Sequence, residues 1–205
     1  MSELLTALGT GVAALVPIAN PVGAVAAFAA LTSGSSPADV RRQAWRTGLW
    51  VAGILVVFTA LGSVLLNALG ITLPALQIGG GLVVAHSGFG MITARQGLSK
   101  PEADHAATKQ DVSFSPMALP PIAPGPAIGV VIALAARNPG IAPRVGYVLA
   151  VVLIALIVAV VLRWGTPLVD RLGPTGIGAL TRVIGFLILV IGVELAIHGV
   201  QGVAW

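Results

Sequence analysis

The chain has 205 residues, of which 57% are hydrophobic and only 9% are charged, whereas soluble domains carry about 25% charged residues. This composition excludes an ordinary soluble domain and predicts a protein whose solvent is the lipid bilayer. The net charge of +4 comes from Lys and Arg scattered between apolar runs, which excludes a clustered nucleic-acid-binding face, and the absence of cysteine excludes disulfides and thiolate metal sites.

Six apolar segments are each long enough to cross a hydrocarbon core of ~30 Å, which takes about 20 helical residues. In chain order they are approximately Leu4–Leu31, Thr47–Leu69, Ile71–Ala94, Ser115–Ala136, Val145–Trp164 and Leu180–Val203. The predicted fold class is an all-α polytopic membrane protein with one membrane domain over residues 1–205. The N-terminus lacks a basic region, so no cleaved signal peptide is expected.

One hydrophilic stretch, approximately residues 96–113, separates the third and fourth spans. Its mixed charges follow no helical or strand period, which predicts a flexible solvated loop without chemistry. The charged and titratable residues in it are Lys100, Glu102, Asp104, His105, Lys109 and Asp111.

Basic residues are strongly biased to one side of the predicted membrane. Nine lie in the loops after spans one, three and five: Arg41, Arg42, Arg46, Arg95, Lys100, Lys109, Arg163, Arg171 and Arg182. Only Arg137 and Arg144 lie on the other side. The positive-inside rule therefore predicts that the loop at 96–113 is cytoplasmic and that both termini are outside.

An internal repeat is indicated by a constant offset of 104 residues. The offset aligns the Pro-Ile-Ala segments that begin at Pro17 and Pro121, and it also aligns Gly81 with Gly185 and Gly88 with Gly192. Repeat one covers approximately residues 4–95 and repeat two approximately 113–203. Each holds three spans, an odd number, so the second copy must enter from the opposite side, giving an inverted-topology repeat of the transporter type.

Both repeats carry a break near the middle of their first span. In Asn20-Pro21-Val22-Gly23, the proline lacks an N–H and disfavours helix at Asn20, whose side chain can cap a helix that restarts behind it. At the matching place, Pro120-Pro121-Ile122-Ala123-Pro124-Gly125-Pro126 cannot be regular α-helix.

Two broken helices at corresponding places of an inverted repeat indicate a binding site at the midplane. Half-helices that start near Pro21 and Pro126 would direct their N-terminal dipoles at the site and favour an anion such as a carboxylate. The alternative is a pair of structural kinks without a ligand. The candidate binding residues are Pro17, Asn20, Pro21, Gly23, Pro121, Ala123, Pro124, Gly125 and Pro126.

Ionisable residues inside spans are candidates for ion coupling. Glu194 lies 12 residues past Arg182, which places it ~18 Å along the sixth helix, with His198 on the same face. Glu194 is a candidate proton or cation site, with a structural polar residue as the alternative. His86 in span three is a second candidate, with a hydrogen-bonded packing role as its alternative.

The remaining patterns predict packing and exclude most enzyme chemistry. Gly185, Gly192 and Gly199 form a small-residue stripe roughly opposite Glu194, which predicts close helix packing. The sequence has no HExxH, Gly-x-Ser-x-Gly or P-loop motif. We therefore expect no enzyme activity, no cofactor, no metal site and no nucleic-acid partner; the expected partners are the bilayer, a small-molecule substrate and a coupling proton or sodium ion.

Four segments resemble the MarC family of six-span membrane proteins (the UPF0056 group, which includes SnatA-type transporters). They are Val16–Pro21, Leu69–Leu82, Pro116–Pro120, and Arg182–Leu187 with its continuation to Gly199. The resemblance implies a bacterial or archaeal cytoplasmic-membrane protein similar to carriers of small neutral amino acids such as glycine and alanine. The family's Ala-Gly-Pro-Gly segment differs here, where Ala123-Pro124-Gly125-Pro126 exchanges Pro and Gly.

The leading hypothesis is a secondary transporter of small amino acids or similar metabolites that works by alternating access. The substrate carboxylate would meet the half-helix N-termini, and Asn20 with freed carbonyls near Pro17 and Pro121 would accept its ammonium. A passive channel or facilitator and a non-transporting membrane scaffold remain alternatives.

Overall fold

The computed structural model describes residues 1–32, 34–93, 111–122 and 125–203, and within these ranges all regular structure is helical. The elements are α1 (Ser2–Ala19), α2 (Pro21–Leu31), α3 (Pro37–Leu69), α4 (Leu73–Thr93), a π-helical segment (Ser113–Ile122), α5 (Gly125–Arg137), α6 (Ile141–Trp164) and α7 (Thr166–Gln201).

Five stretches of the described chain are helical, long and apolar enough to cross a membrane, judged by length and composition. They are Ser2–Ala29, Pro37–Gly62, Leu73–Thr93, Ile141–Trp164 and Thr175–Gln201. The region of the fourth predicted span contains instead the π-helical segment and the shorter apolar helix α5. An all-α membrane protein is thus confirmed, with five long candidate spans and a sixth region that is interrupted.

Helix α3 begins at Pro37, well before the predicted start at Thr47. Ser36 caps the helix by accepting a hydrogen bond from Asp39 N at 3.2 Å, and proline suits the first helical position because it needs no N–H there. Asp39 also pairs with Arg42 at 2.8 Å. Hydropathy identifies only the apolar part of α3, so it misses this polar first section.

Helices α4 and α7 form the most extensive interface of the described chain, and glycines make it close. A Cβ added at Gly81 would lie 2.5 Å from the carbonyl oxygen of Gly192, and one at Gly88 would lie 2.6 Å from that of Gly185. The packing role predicted for Gly185, Gly192 and Gly199 is confirmed. Later positions of α4 contact earlier positions of α7, so the two helices are antiparallel.

Helix α6 lies at the centre of the other helices and has nine buried positions, because α1, α2 and α3 all pack on it. Gly48 of α3 approaches Ala159 of α6 closely, and Gly11 of α1 approaches Ala150. Small residues at these crossings let the backbones approach, as is usual between membrane helices.

Helix α7 is interrupted near its start. Gly173 has φ 60° and ψ 179°, a conformation that glycine adopts without the steric cost of a side chain. The apolar section that follows is Thr175–Gln201, which starts earlier than the predicted Leu180. Residues Thr166 to Leu172 therefore form a separate short helical section before the membrane helix.

Candidate functional site

The first helix break lies at Asn20, as the sequence predicts. Asn20 has φ 40° and ψ 58°, and it is the only non-glycine residue with positive φ in the described chain. Its backbone N–H donates to the carbonyl of Pro17 at 3.2 Å and closes α1. Asparagine tolerates this left-handed conformation better than other side chains do.

The Asn20 side chain also begins the next helix. Its Oδ1 accepts a hydrogen bond from Gly23 N at 3.1 Å, which confirms the predicted cap on α2. A Cβ added at Gly23 would lie 2.9 Å from Asn20 Cγ, so glycine is needed for the amide to reach this position. Asn20, Pro21 and Gly23 thus act together: one residue ends a helix and caps the next.

The second break falls where the proline-rich segment predicts it. The chain is π-helical through Pro120 and Pro121 to Ile122, and α5 begins at Gly125 with Pro126 as its second residue. Ala123 and Pro124 lie outside the described residues. The prediction that regular α-helix is interrupted here is confirmed.

The two breaks are brought into one region of the molecule. Helix α1, which precedes the first break, packs against both the π-helical segment and α5, and α2 packs against the π-helical segment. Met117 and Ala118 of that segment are completely buried. The elements that flank both breaks therefore share one interior.

The two ionisable candidates lie elsewhere. The side chain of Glu194 is 63% exposed and lies on the side of α7 that faces away from α4, opposite the glycine stripe as predicted. His198 Nδ1 lies 3.5 Å from Glu194 Oε1. His86 is exposed on α4. Their roles in coupling remain predictions.

The interior contains polar side chains that the sequence analysis missed. Thr47 and Thr59 donate their hydroxyl hydrogens to carbonyl oxygens one turn back in their own helix, at 2.9 and 2.6 Å. Gln77 and Thr181 are 5% and 7% exposed. A polar residue at helical spacing from packing glycines, as at Gln77 and Gly81, is the signal that could have identified the last two.

The end of the predicted cytoplasmic loop is fixed to α3. Arg46 Nη1 pairs with Asp111 Oδ2 at 2.5 Å, and the amide of Val112 donates to the Oε1 of buried Gln43 at 3.0 Å. Asp111 Oδ1 accepts from Ser113 N at 3.0 Å. The prediction of a free solvated loop is wrong for this end of it, because the segment is hydrogen-bonded and partly buried; residues 94–110 lie outside the described chain.

The surroundings of Asp111 shift the pKa of its carboxyl group. Partial burial raises the pKa of this carboxyl, but the hydrogen bonds from Ser113 and the Arg46 guanidinium lower it by more, so the net pKa is below the ordinary value. The contact between the loop end and α3 is thus held by an ionised carboxylate.

A shallow apolar groove of 530 Å³ lies on the surface of the α4–α7 pair. Gly81 and Gly192 form its floor, and Leu82, Val193 and Ile197 form its exposed walls. It lies on elements other than those that contain the breaks. Its apolar lining fits a surface that faces lipid chains.

Comparisons with known proteins agree with this architecture. The family model described as MarC family integral membrane protein matches residues 5–204. The chain is 34% identical to the UPF0056 inner membrane protein MarC of Salmonella typhimurium, over 98% of this chain and 96% of that protein. It is 33% identical over the same shares to the protein of that name from Escherichia coli O1:K1. No solved structure matches.

Proposed function

The chain belongs to the MarC family of integral membrane proteins, and from this premise we propose that it is a secondary transporter of small neutral amino acids or similar metabolites. The observation that carries the proposal is the pair of helix breaks, which lie 104 residues apart and whose flanking elements pack together. Helix ends inside an apolar protein leave backbone groups that need a polar partner.

The proposal includes six spans arranged as two inverted repeats. The four buried residues of α4 support this arrangement, because the residue 104 positions after each of them is also buried. The pairs are Gln77 with Thr181, Gly81 with Gly185, Val84 with Ile188, and Gly88 with Gly192.

The crossing of α4 and α7 supports the same arrangement. The repeat equivalent of Gly81 is Gly185, and that of Gly192 is Gly88. The close contact of Gly81 with Gly192 therefore corresponds to a contact of Gly185 with Gly88. Both contacts are present. An antiparallel pair that maps onto itself in this way is what a two-fold axis in the membrane plane generates.

The substrate site in this proposal lies between the breaks. The N-terminus of α2 begins at Pro21 and that of α5 at Gly125, and both would direct partial positive charge at a substrate carboxylate. Asn20 and the carbonyls near Pro17 and Pro121 would accept the ammonium. Rocking of one repeat against the other would then expose the site to each side, with both termini outside.

Proteoliposomes test this proposal. The purified full-length chain is reconstituted and offered labelled glycine, alanine, serine and threonine, with and without an imposed proton gradient. We expect the wild-type protein to show saturable uptake of at least one of these amino acids. The Asn20→Ala protein should lose this uptake. The control Gly79→Ala should retain it, because its added methyl meets nothing within 4 Å. No uptake of any small amino acid, or equal uptake by the Asn20→Ala protein, would overturn the proposal.

The second candidate is an uncoupled facilitator, and the position of Glu194 favours it. This carboxylate faces away from α4, and none of the buried residues in the described chain is an Asp, Glu, Lys, Arg or His. A facilitator would equilibrate the amino acid without accumulating it against a gradient. Comparing uptake with and without the imposed proton gradient in the same experiment separates the two mechanisms.

A further inference from the structure

Two polar contacts join α3 to the chain that leads into the π-helical segment. Arg46 of α3 pairs with Asp111 at 2.5 Å, and the side chain of Gln43 accepts a hydrogen bond from the amide of Val112 at 3.0 Å. Helix α3 belongs to the first proposed repeat and the π-helical segment to the second. These contacts, which we call the polar crossing, therefore hold one repeat against the other.

The polar crossing covers a buried interior. Thr47 of α3 and Ser113 of the π-helical segment are 0% and 2% exposed. One turn further along α3, the ring of Trp50 lies edge-on to that of Phe114, with 5.0 Å between the ring centroids. The π-helical segment continues from here to the second break. The crossing thus lies where the chain that leads to this break enters the protein.

An equivalent crossing exists between α1 and α6. The offset of 104 residues maps Arg46 onto Ala150, and it maps residues 7–11 of α1 onto the chain at 111–115. These elements do meet, because a Cβ added at Gly11 would lie 2.7 Å from Ala150 Cβ. Helix α1 leads to the first break as the π-helical segment leads to the second. Each break is therefore reached through an element that is held to the other repeat.

The two crossings lie near opposite ends of α6 and differ in chemistry. Helix α3 passes Ala159 at Gly48, two residues after Arg46, whereas α1 passes Ala150 at Gly11. The α1–α6 crossing is close packing of small residues, whereas the polar crossing includes an ion pair whose side chains are 53% and 35% exposed. Exposed ion pairs add little stability, so water can replace this pair at low cost.

We propose that the polar crossing is the cytoplasmic gate of the transport pathway and that the α1–α6 crossing is its outer counterpart. This inference deepens the proposed transport function and rests on it and on its topology. Rocking of one repeat against the other separates one crossing while the other stays closed. When the polar crossing opens, water and solute reach the second break from the cytoplasmic side.

Cross-linking tests the gate, and the chain contains no cysteine that would interfere. In reconstituted full-length protein, Arg46→Cys and Asp111→Cys are joined by a short bis-maleimide. We expect the joined protein to lose transport of labelled amino acid, because the gate cannot open. The matched control joins Asp39→Cys to Arg42→Cys, which replace an ion pair within α3 itself, and it keeps the transport it had before the reagent was added.

Labelling of a buried position detects opening without relying on transport. Ser113→Cys places a thiol of similar size behind the ion pair. We expect a membrane-impermeant maleimide, applied to the side that bears the loop, to label it slowly. Arg46→Asp sets two carboxylates against each other and should speed labelling roughly fivefold or more, the scale on which two like charges in contact repel in water. Exchanging both charges, as Arg46→Asp with Asp111→Arg, restores slow labelling, whereas Arg42→Cys labels equally fast in all three backgrounds.

The gate and the transport function can fail separately. Undiminished transport by the protein joined between residues 46 and 111 overturns the gate and leaves the transport function standing. Equal labelling of Ser113→Cys with and without Arg46→Asp identifies the crossing as a fixed structural contact and also overturns the gate. If the wild-type protein transports no small amino acid under any condition, the proposed function fails and the gate fails with it.

Discussion

Asn20 offers the sharpest test of how the first break is built, because one residue has a backbone role and a capping role that substitutions can separate. In the structure it adopts φ 40° and ψ 58° while its Oδ1 accepts from Gly23 N. Alanine loses the cap, which costs about 1 kcal/mol. It must also adopt the left-handed conformation, which costs roughly 1–2 kcal/mol.

Asn20→Gly separates the two contributions. Glycine adopts positive φ freely and loses only a few tenths of a kcal/mol as a cap. We therefore expect thermal midpoints in detergent to fall in the order wild type, Asn20→Gly, Asn20→Ala, with Asn20→Ala lower by about 4–12 °C. Asn20→Asp keeps the acceptor at the start of α2 and should stay close to wild type.

Transport by the same variants completes the test. If the Asn20 amide binds the solute, Asn20→Gly stays folded yet loses affinity, whereas a purely structural Asn20 leaves the glycine variant active. An alanine variant as stable as wild type, or a glycine variant less stable than the alanine one, would refute the reasoning about the backbone.

Three further predictions follow from contacts described above. Gly192→Leu, whose Cβ would lie 2.6 Å from Gly81 O, should destabilise the protein by about 1–3 kcal/mol or more in thermal unfolding, whereas Gly79→Leu should not. Arg46→Ala removes an exposed ion pair worth about 0.2–1 kcal/mol at neutral pH. Because the pKa of Asp111 is lowered in the folded state, the pair stabilises the fold above the ordinary carboxyl pKa, and its effect disappears as pH falls through the lowered pKa. The stabilities of wild type and variant should therefore converge in acid, below that lowered pKa. Glu194→Gln should leave amino acid exchange intact because the carboxylate faces away from α4; lost accumulation with intact exchange would identify it as a coupling group, and lost exchange would contradict its position.

Local chemistry made the first break predictable. Proline removes a donor and disfavours helix before it, asparagine caps, and glycine leaves room, so all three residues of the break could be assigned before any coordinates. The second break followed from proline density alone. The sequence did not reveal that the chain before it is π-helical, because that depends on how the segment packs.

Long-range contacts limited the rest of the prediction. Arg46 and Asp111 are 65 residues apart, and nothing local indicates that they pair. Helical spacing correctly placed Glu194 opposite the glycine stripe, but its exposure depends on which helices surround α7. The start of α3 was missed for a different reason, since Ser36-Pro37 is a readable cap that hydropathy does not detect.

The pairing of α4 with α7 has a consequence for biosynthesis. The glycine face of α4 is complete once Thr93 is made, yet the residues that cover it belong to the last helix of the chain. About 100 residues must be added in between, which takes about 5–20 s at ordinary translation rates. For that interval α4 is inserted with its close-packing face uncovered, and a chain truncated before α7 would leave the translocon with that face permanently open to unrelated helices.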